Sequence, residues 1–253
     1  MDNFRRALLN RLRSGDRRAH FVHQDLRSEF PRLSEQQVVA ELWMCLADRL
    51  VFLAADGQNN FGNWDWILTD RGRHLIDSVD DYEPDDVDRY LKTLTHQIQD
   101  IDSQIVTYVR EALRAYSAEC CLASSVMLGV ASERAFQLLG EAFADWLPSS
   151  EAQRFRDVLN KPRQTYISKF VEFRRRIEPL KDRLPEEFSD NMALTLDSVL
   201  DLLRVTRNEA GHPTGRRIDA DVAYINLQMF GRYLKKLYGL RAFFSANRQS
   251  RSD

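Results

Sequence analysis

Apolar residues recur at helical spacing through most of the chain, and only one region has the signals of β-strands. Val51-Phe52-Leu53 and Trp64-Asp65-Trp66-Ile67-Leu68 are rich in β-branched and aromatic residues. They flank residues 54–63, whose Gly, Asn and Asp content predicts a hairpin tip. Helices are predicted around these strands over residues 2–12, around 24–29, from Ser34 with Gln37 completing a capping box, and after Leu68.

Residues 1–78 therefore follow the order helix, helix, helix, strand, hairpin tip, strand, helix, and this segment resembles a winged helix-turn-helix. Because such domains often bind DNA, DNA is a candidate partner of this segment. The third helix is, however, expected to expose Glu35, Gln36, Glu41 and Asp48, and carboxylates repel phosphates. The N-terminal arginines offer backbone contacts instead: Arg5, Arg6, Arg11, Arg13, Arg17 and Arg18. A surface for protein interaction or dimerisation is the equal alternative.

An acidic run separates this segment from the rest of the chain. Seven carboxylates and no basic residue lie between Asp77 and Asp88. Such a run is typical of a solvated segment that leads into a helix, because acids favour the positive end of the helix dipole. Residues 79–85 are therefore predicted to be a linker between two domains.

Residues 86–245 carry almost exclusively helical patterns, so the fold class is predicted to be mainly α, with a winged helix-turn-helix followed by an all-helical bundle. The second predicted helix is apolar nearly all round and should be the central one. Residues 246–253 are predicted to be a flexible tail. The helices are predicted over about 86–117, 120–147 and 150–159, after Asn160 with Pro162 near the start, along the stripe that leads to Arg207, and from Asp219 to Phe244.

Composition sets limits on the function. With 43% hydrophobic and 29% charged residues the chain resembles a soluble globular protein, and the net charge of −2 leaves only local basic surfaces for nucleic acid. A signal-peptide pattern is absent, and no apolar stretch approaches the roughly 18 residues of a membrane span, so a cytoplasmic protein without membrane contact is expected.

The cysteines and histidines predict neither disulfides nor a metal site. Cys120 and Cys121 are adjacent within an apolar pattern and Cys45 is alone, which favours reduced, buried thiols. The five histidines lack zinc-ligand spacing, and the chain has no phosphate-binding glycine loop and no Gly-x-Ser-x-Gly motif. No cofactor is predicted.

An apolar stripe of helical period leads to a cation in the second domain. Arg207 takes the next step of that stripe, four residues after its last apolar member. A cation that continues a buried face requires an explanation, because buried charges are normally paired or functional. The apolar members of the stripe are Met192, Leu196, Val199 and Leu203.

Arg207 and His212 could not share a site on a continuous helix, because residues five apart point about 140° away from each other. Gly211 can adopt the left-handed conformation of a helix C-terminus, and Pro213 resists continuation of the helix. The helix is therefore predicted to end between the two residues, which brings His212 back toward the face that carries Arg207.

The spacing of this pair carries little weight by itself, because Arg18 and His23 repeat it in the first segment. Context distinguishes Arg207-Asn208-Glu209-Ala210-Gly211-His212-Pro213, which ends a helix in an all-helical domain. This stretch resembles the R-x4-6-H signature of the HEPN superfamily, including the polar residue after the arginine. Val126-Met127-Leu128-Gly129-Val130-Ala131-Ser132-Glu133 resembles an earlier helix of the same domains, and the resemblance covers about residues 85–245.

The resemblance implies a helical bundle that commonly forms a homodimer. Many HEPN domains are metal-independent ribonucleases of toxin, antiviral defence or RNA-processing systems, whereas others only bind nucleic acid or nucleotides. An RNA substrate, a homodimer through the helical domain and a neutralising or defence-complex protein partner are therefore expected. The predicted function is that of an endoribonuclease effector in which the winged-helix segment recruits or regulates.

The residue types fit RNA cleavage without a metal ion. His212 can act as general base or acid near neutral pH, since an unperturbed imidazole has a pKa of about 6.5. Arg207 can hold phosphate oxygens through its fork of donors. Asn208 is assigned a supporting role on the histidine or the phosphate, and Glu133 on the central helix a role in tethering Arg207 or tuning His212. One arginine and one histidine are few for this task, so two copies are expected to share a cleft.

Structural and functional alternatives compete with catalysis. Arg207 and His212 can simply cap a helix C-terminus, with Arg207 paired to Glu133 or Glu209. Glu133 can equally form a buried ion pair with Arg134 or Arg207. The main functional alternative is a regulator whose winged helix binds DNA and whose helical domain only dimerises or binds a nucleotide. A further possibility is a subunit that is active only within a larger complex.

Overall fold

The computed structural model describes residues 3–15, 17–54, 64–190, 192–193, 196–197 and 218–247. Among these residues the protein is mainly helical with one two-stranded sheet, which confirms the predicted class at that level. Two compact units are present, Met1–Lys92 and Thr93–Asp253.

The first unit has the predicted order of elements. Its two strands are antiparallel, with Val51 opposite Leu68 and Leu53 opposite Trp66. The wing predicted at 54–63 lies outside the described residues apart from Ala54. The elements are α1 (Asn3–Ser14), α2 (Ala19–Leu26), α3 (Glu35–Ala47), β1 (Val51–Ala54), β2 (Asp65–Leu68) and α4 (Asp70–Asp77).

The predicted start of α3 is confirmed by its cap. The Ser34 hydroxyl accepts a hydrogen bond from the Gln37 amide at 3.3 Å, and the Gln37 side chain accepts one from the Ser34 amide at 2.9 Å. The prediction for α2 is wrong by about five residues, because Ala19, Val22 and Leu26 are the apolar residues that this helix buries.

The segment between α1 and α2 extends the sheet. Arg18 forms an isolated antiparallel bridge with Asp65, and the Trp66 amide donates to the Arg17 carbonyl oxygen at 3.0 Å. The indole of Trp66 is fully buried against the helices. The core of the first unit comprises Leu8, Leu9, Leu12, Val22, Val38, Leu42, Cys45, Val51, Trp66, Leu68, Leu75 and Ile76.

The acidic run is folded against α4 instead of forming a solvated linker, which corrects the expectation for residues 79–85. Glu83 is fully buried, and the side chain of Asp85 is only 7% exposed beside the Arg71 guanidinium, 2.7 Å away. His74 lies 3.6 Å from Glu83. Asp86 is also buried, and its carboxylate accepts a hydrogen bond from the Arg89 amide at the start of the next helix. Cations and backbone amides within the unit make the burial of these acids tolerable.

The helix predicted over 86–117 is two helices. Asp100 adopts a left-handed backbone conformation with φ of 52°, and Asp102 caps the second helix by accepting hydrogen bonds from the amides of Gln104 and Ile105. The division between the two units falls inside α5 (Val87–Gln97). The helices that follow are α6 (Ser103–Ser117), α7 (Cys121–Trp146), α8 (Ser149–Leu159), α9 (Tyr166–Ile177), a 3-10 helix (Glu178–Arg183), α10 (Glu186–Ser189) and α11 (Ala220–Ala246).

Asn160 ends a helix instead of beginning one, which corrects another expectation. It is the C-cap of α8, whereas Thr165 caps the start of α9 by accepting from the Ser168 amide. Asp219 occupies the N-cap position of α11 as predicted, but its side chain makes no capping hydrogen bond.

The central position predicted for α7 is confirmed, since this helix packs against α6, α8, α9 and α11. Aromatic rings pack around its C-terminal part, in edge-to-face and tilted contacts. Phe143 is fully buried, and its ring centroid lies 5.4 Å from that of Phe155, 5.0 Å from that of Phe173 and 5.1 Å from that of Phe244. This aromatic cluster holds four helices together.

Candidate functional site

Three of the four predicted site residues, Arg207, Asn208 and His212, lie outside the described residues, as do Gly211 and Pro213. Of the apolar stripe that leads to them, Met192 and Leu196 are described, and Leu196 is 2% exposed. Both residues line a small apolar cavity together with Ile177, Leu184, Phe188, Lys236, Leu237 and Leu240. The first two positions of the stripe therefore face the helical core, as the periodicity predicts.

Glu133, the fourth predicted site residue, lies in the middle of α7 and is half-buried. Gly129, Phe136 and Gly140 on the same face of α7 are buried, whereas Leu122, near the start of that helix, is 48% exposed. Glu133 is thus a carboxylate at the edge of the core and not a fully buried charge, which corrects the sequence-based expectation. A half-buried carboxylate retains solvent contact and can still orient a neighbouring cation.

The alternative in which Arg134 neutralises Glu133 is not supported, because the Arg134 guanidinium is directed elsewhere. Its Nη2 lies 2.7 Å and its Nε 3.2 Å from the same Asp102 carboxylate oxygen, and its Nη1 donates to Gln137. The Asp102 amide in turn donates to the Tyr238 hydroxyl of α11 at 2.8 Å. This network ties α6, α7 and α11 together, so the role of Arg134 is structural.

Asp102 is the residue of this network that sequence reasoning missed. Burial by itself raises the pKa of its carboxyl, but the hydrogen bonds from Arg134 and from the Gln104 and Ile105 amides outweigh that effect and hold the pKa below its ordinary value. The available signal was an aspartate, Asp102, directly before a pattern of helical period, since aspartate is a frequent N-cap residue.

The run Arg174-Arg175-Arg176 is neutralised within its own unit. Arg174 forms ion pairs with Glu178 and Asp197, and both Arg175 and Arg176 pair with Glu172. Hydrogen bonding from Arg175 and Arg176 holds the pKa of Glu172 below its ordinary value, although burial opposes this shift. These arginines are therefore occupied and do not form a free phosphate-binding surface.

The third helix also differs from expectation. Glu41 and Asp48 are not free carboxylates at its surface, because the Arg5 guanidinium binds both, with 2.7 Å to Asp48. Arg11 and Arg13 pair with Asp25 and Asp77, which leaves fewer N-terminal arginines for a nucleic acid than the count suggests. The exposed residues of α3 are polar in its first turn and apolar beyond it: Glu35, Gln36 and Gln37, then Ala40, Trp43 at 46% exposed, Met44 at 53% exposed, and Ala47.

The other Arg-x4-His pair, Arg18 and His23, makes contacts within the first unit. The Nε2 of His23 lies 3.0 Å from the Leu33 carbonyl oxygen, which can only accept, so the imidazole donates there. The Arg18 guanidinium lies 4.4 Å from the centre of the Phe21 ring. Arg18 and His23 therefore serve the packing of α2, and they provide a natural control for the later pair.

The thiols differ from the expectation of three buried groups. All three are free, but Cys45 alone is buried, whereas Cys121 is half-buried and Cys120 is exposed. Burial raises the pKa of Cys45 to about 12 despite the nearby Arg5 guanidinium. Cys45 is thus a core residue with little nucleophilic character near neutral pH.

The described residues contain neither a cluster of three or more potential metal ligands nor a helix long and apolar enough to cross a membrane. Comparison with known protein families, curated proteins and solved structures finds no match to the chain. The assignments to the HEPN superfamily and to the winged helices therefore stay predictions from the sequence.

Proposed function

We propose that this protein is a metal-independent endoribonuclease of the HEPN type that acts as a toxin or antiviral defence effector. The observation that carries the proposal is the stretch Arg207-Asn208-Glu209-Ala210-Gly211-His212-Pro213 within a helical unit. The central helix α7 of that unit supports it by presenting the half-buried carboxylate of Glu133.

In the proposed reaction, the 2′-hydroxyl of RNA attacks the adjacent phosphorus and the 5′-oxygen leaves. One imidazole of His212 accepts the 2′-hydroxyl proton, and an imidazolium of the same type donates a proton to the leaving oxygen. Arg207 stabilises the negative charge that builds up on the phosphate. Asn208 orients the imidazole or binds a phosphate oxygen, and Glu133 orients Arg207 or His212.

A homodimer through the helical unit supplies two sets of these residues to one cleft. Large apolar side chains at the beginnings of α7 and α11 support such an association, because Leu122, Val222 and Ile225 are 48%, 42% and 56% exposed. Residues 1–78 form the winged helix that recruits the effector or regulates it through a protein partner, and a neutralising protein is an expected regulator of such an enzyme.

The proposal is tested by incubating the purified chain with end-labelled single-stranded RNA in excess EDTA. We expect cleavage that leaves a 2′,3′-cyclic phosphate on one product and a 5′-hydroxyl on the other, detected by mass spectrometry. Intact RNA in EDTA, together with cleavage only after Mg²⁺ is added, would refute the metal-independent mechanism.

A DNA-binding regulator is the second candidate, and the order of elements in the first unit favours it. Three helices, two antiparallel strands and a closing helix follow each other, and residues 17 and 18 extend the sheet. Duplex binding with a steep salt dependence that disappears on removal of residues 1–78 would favour this candidate.

The exposed face of α3 makes a specific prediction about DNA. Beyond its first turn this face presents Ala40, Trp43, Met44 and Ala47, which are not among the Arg, Lys, Asn and Gln side chains that usually read base edges, so the exposed Gln36 is the residue to test. Replacing Gln36 by alanine should change the affinity of the full chain for any duplex by less than about twofold. Electrophoretic mobility shifts with a panel of duplexes measure this, and a loss above tenfold for one sequence would identify α3 as a base-reading helix.

A further inference from the structure

A basic segment free of carboxylates connects α8 and α9. Between Asp157 and Glu172 the chain carries Lys161, Arg163 and Lys169 and no acidic residue. We call residues 160–169 the basic turn. Its local charge of +3 contrasts with the net charge of −2 of the whole chain.

The backbone presents the first two cations of the basic turn to solvent. The Gln164 amide donates to the Lys161 carbonyl oxygen at 3.2 Å, which closes a turn with Pro162 and Arg163 at its centre. Lys161 and Arg163 are exposed, and within the described part of the chain neither side chain has an ion pair or hydrogen bond. Arg174, Arg175 and Arg176 in the last turn of α9 are all ion-paired, in contrast to Lys161 and Arg163.

The third cation lies on the first turns of α9. The Lys169 ammonium lies 5.2 Å from the centre of the half-buried Tyr166 ring, which holds it near the start of the helix. The positive end of the α9 dipole adds to the same potential. An aromatic ring beside cations is the combination that nucleic-acid surfaces use for bases and phosphates.

The basic turn lies close to the part of α7 that carries Glu133. Phe136, three residues after Glu133, packs against Phe170 with ring centroids 5.2 Å apart. Tyr166 is four residues before Phe170 on α9. Glu133 and Tyr166 are thus each about one helical turn from the same contact.

We propose that the basic turn binds the phosphodiester backbone of single-stranded RNA through Lys161 and Arg163. The choice of RNA rests on the ribonuclease function proposed above, whereas the binding surface itself is argued from charge and geometry. Arg163 offers a fork of donors to a phosphate, and Lys161 a compact point charge. The turn is then a substrate-positioning surface that lies outside the segment 207–213.

The test measures binding of a fluorescein-labelled 20-nucleotide oligouridine by fluorescence anisotropy, using the full chain with His212→Ala so that the probe stays intact. Losing two phosphate contacts lowers the slope of log affinity against log salt by about 1.4, so with affinities that converge at about 1 M salt the loss is about 25-fold at 0.1 M salt. We therefore expect Lys161→Gln with Arg163→Gln to weaken binding by about that factor. The thermal unfolding temperature should be unchanged, because neither side chain has a hydrogen bond or ion pair within the part of the chain that the structure describes.

The matched control removes the same charge elsewhere. Arg110→Gln with Lys181→Gln alters two other exposed cations of the second unit and should change oligouridine affinity by less than about twofold. Equal losses in both double variants, an unchanged affinity of the turn variant, or no binding of oligouridine by the parent chain would each overturn the inference. Tighter binding of a duplex DNA of equal length, lost in the turn variant, would also overturn it by assigning the surface to DNA.

Failure here is distinguishable from failure of the proposed ribonuclease. Binding of oligouridine through the basic turn, together with intact RNA in EDTA when His212 is present, would support this inference and refute the proposed ribonuclease. The Lys161→Gln, Arg163→Gln variant can also cleave RNA in EDTA with the same dependence of rate on RNA concentration as the parent chain. That result would support the proposed enzyme and overturn the inference about the basic turn.

Discussion

Replacing His212 by alanine is expected to lower the rate of RNA cleavage in EDTA by about 100- to 10,000-fold, because a positioned acid–base group contributes that much to proton transfer. Replacing Arg207 by alanine should have an effect of similar size, since charge on the phosphate would then build up without a fixed cation. Single-turnover rates with labelled RNA measure both effects. The rate of RNA cleavage by the parent chain should change between about pH 5 and 8, where an imidazole titrates.

The chain supplies its own control, because Arg18 and His23 have the same spacing as Arg207 and His212. His23 donates to a backbone carbonyl oxygen and Arg18 covers the Phe21 ring, so both belong to the packing of α2. The variants Arg18→Ala and His23→Ala should cleave RNA at the parental rate once they are shown to be folded. A loss of cleavage in His23→Ala equal to that in His212→Ala would remove the basis for the site assignment.

Replacing Arg71 by alanine is expected to lower the free energy of unfolding of the first unit by about 2–3 kcal/mol, because it leaves the carboxylate of Asp85 without its nearest cation. The estimate lies below that for a fully buried pair, since the Arg71 side chain is 20% exposed, whereas that of Asp85 is only 7% exposed. Gly72 allows α4 to approach the Leu50 carbonyl oxygen closely, which fixes the position of Arg71. Urea denaturation followed by tryptophan fluorescence measures the loss.

The matched control is Arg73 on the same helix. Its partner Asp70 is fully exposed, so Arg73→Ala should leave the denaturation midpoint unchanged. Adding Asp85→Ala to Arg71→Ala should recover much of the stability, because no carboxylate then remains buried. Equal midpoints for Arg71→Ala and Arg73→Ala would show that the buried pair is not stabilising.

The effect of pH has a defined sign. Burial raises the pKa of the Asp85 carboxyl above its ordinary value of 3.8, although the Arg71 guanidinium opposes this shift. The folded chain therefore binds this proton more tightly than the unfolded chain does, and the contribution of Asp85 to stability falls as the pH rises through the folded pKa. Without Arg71 the free-energy cost of burying the ionised Asp85 carboxylate is larger. The loss of unfolding free energy in Arg71→Ala should therefore be greater at pH 7 than at pH 4.

Local patterns predicted the elements that local chemistry determines. The capping box at Ser34, the two strands and the long apolar helix α7 all follow from side chains within a few residues of each other. The boundaries that failed were also local, but they depend on one residue each. A single left-handed residue at Asp100 and the cap at Asp102 divide a pattern that remains helical in period on both sides.

Surface charge was predicted least well, because ion pairs depend on residues far apart in the sequence. Arg5 lies 36 residues from Glu41 and 43 from Asp48, and no periodicity links them. The pairing makes α3 less acidic than its sequence indicates. Ion pairs likewise neutralise Arg174, Arg175 and Arg176. Lys161 and Arg163 in the basic turn, by contrast, have no ion pair among the described residues.

The candidate site was predicted from a motif and not from packing. Gly211 and Pro213 are helix-ending signals from which the position of His212 relative to Arg207 is predicted, and such signals can be recognised without tertiary contacts. Glu133 was selected as a charge on the apolar central helix, and the structure places it half-buried in the middle of α7.

The most direct test of the ribonuclease assignment compares the parent chain with the variant that carries both Arg207→Ala and His212→Ala. Both are incubated at equal concentration with labelled single-stranded RNA in excess EDTA, and the cleaved fraction is followed over time. The parent chain should cleave the RNA to 2′,3′-cyclic phosphate products while the double variant leaves it intact. Equal rates of cleavage in the two preparations, or no cleavage in either, would contradict the assignment.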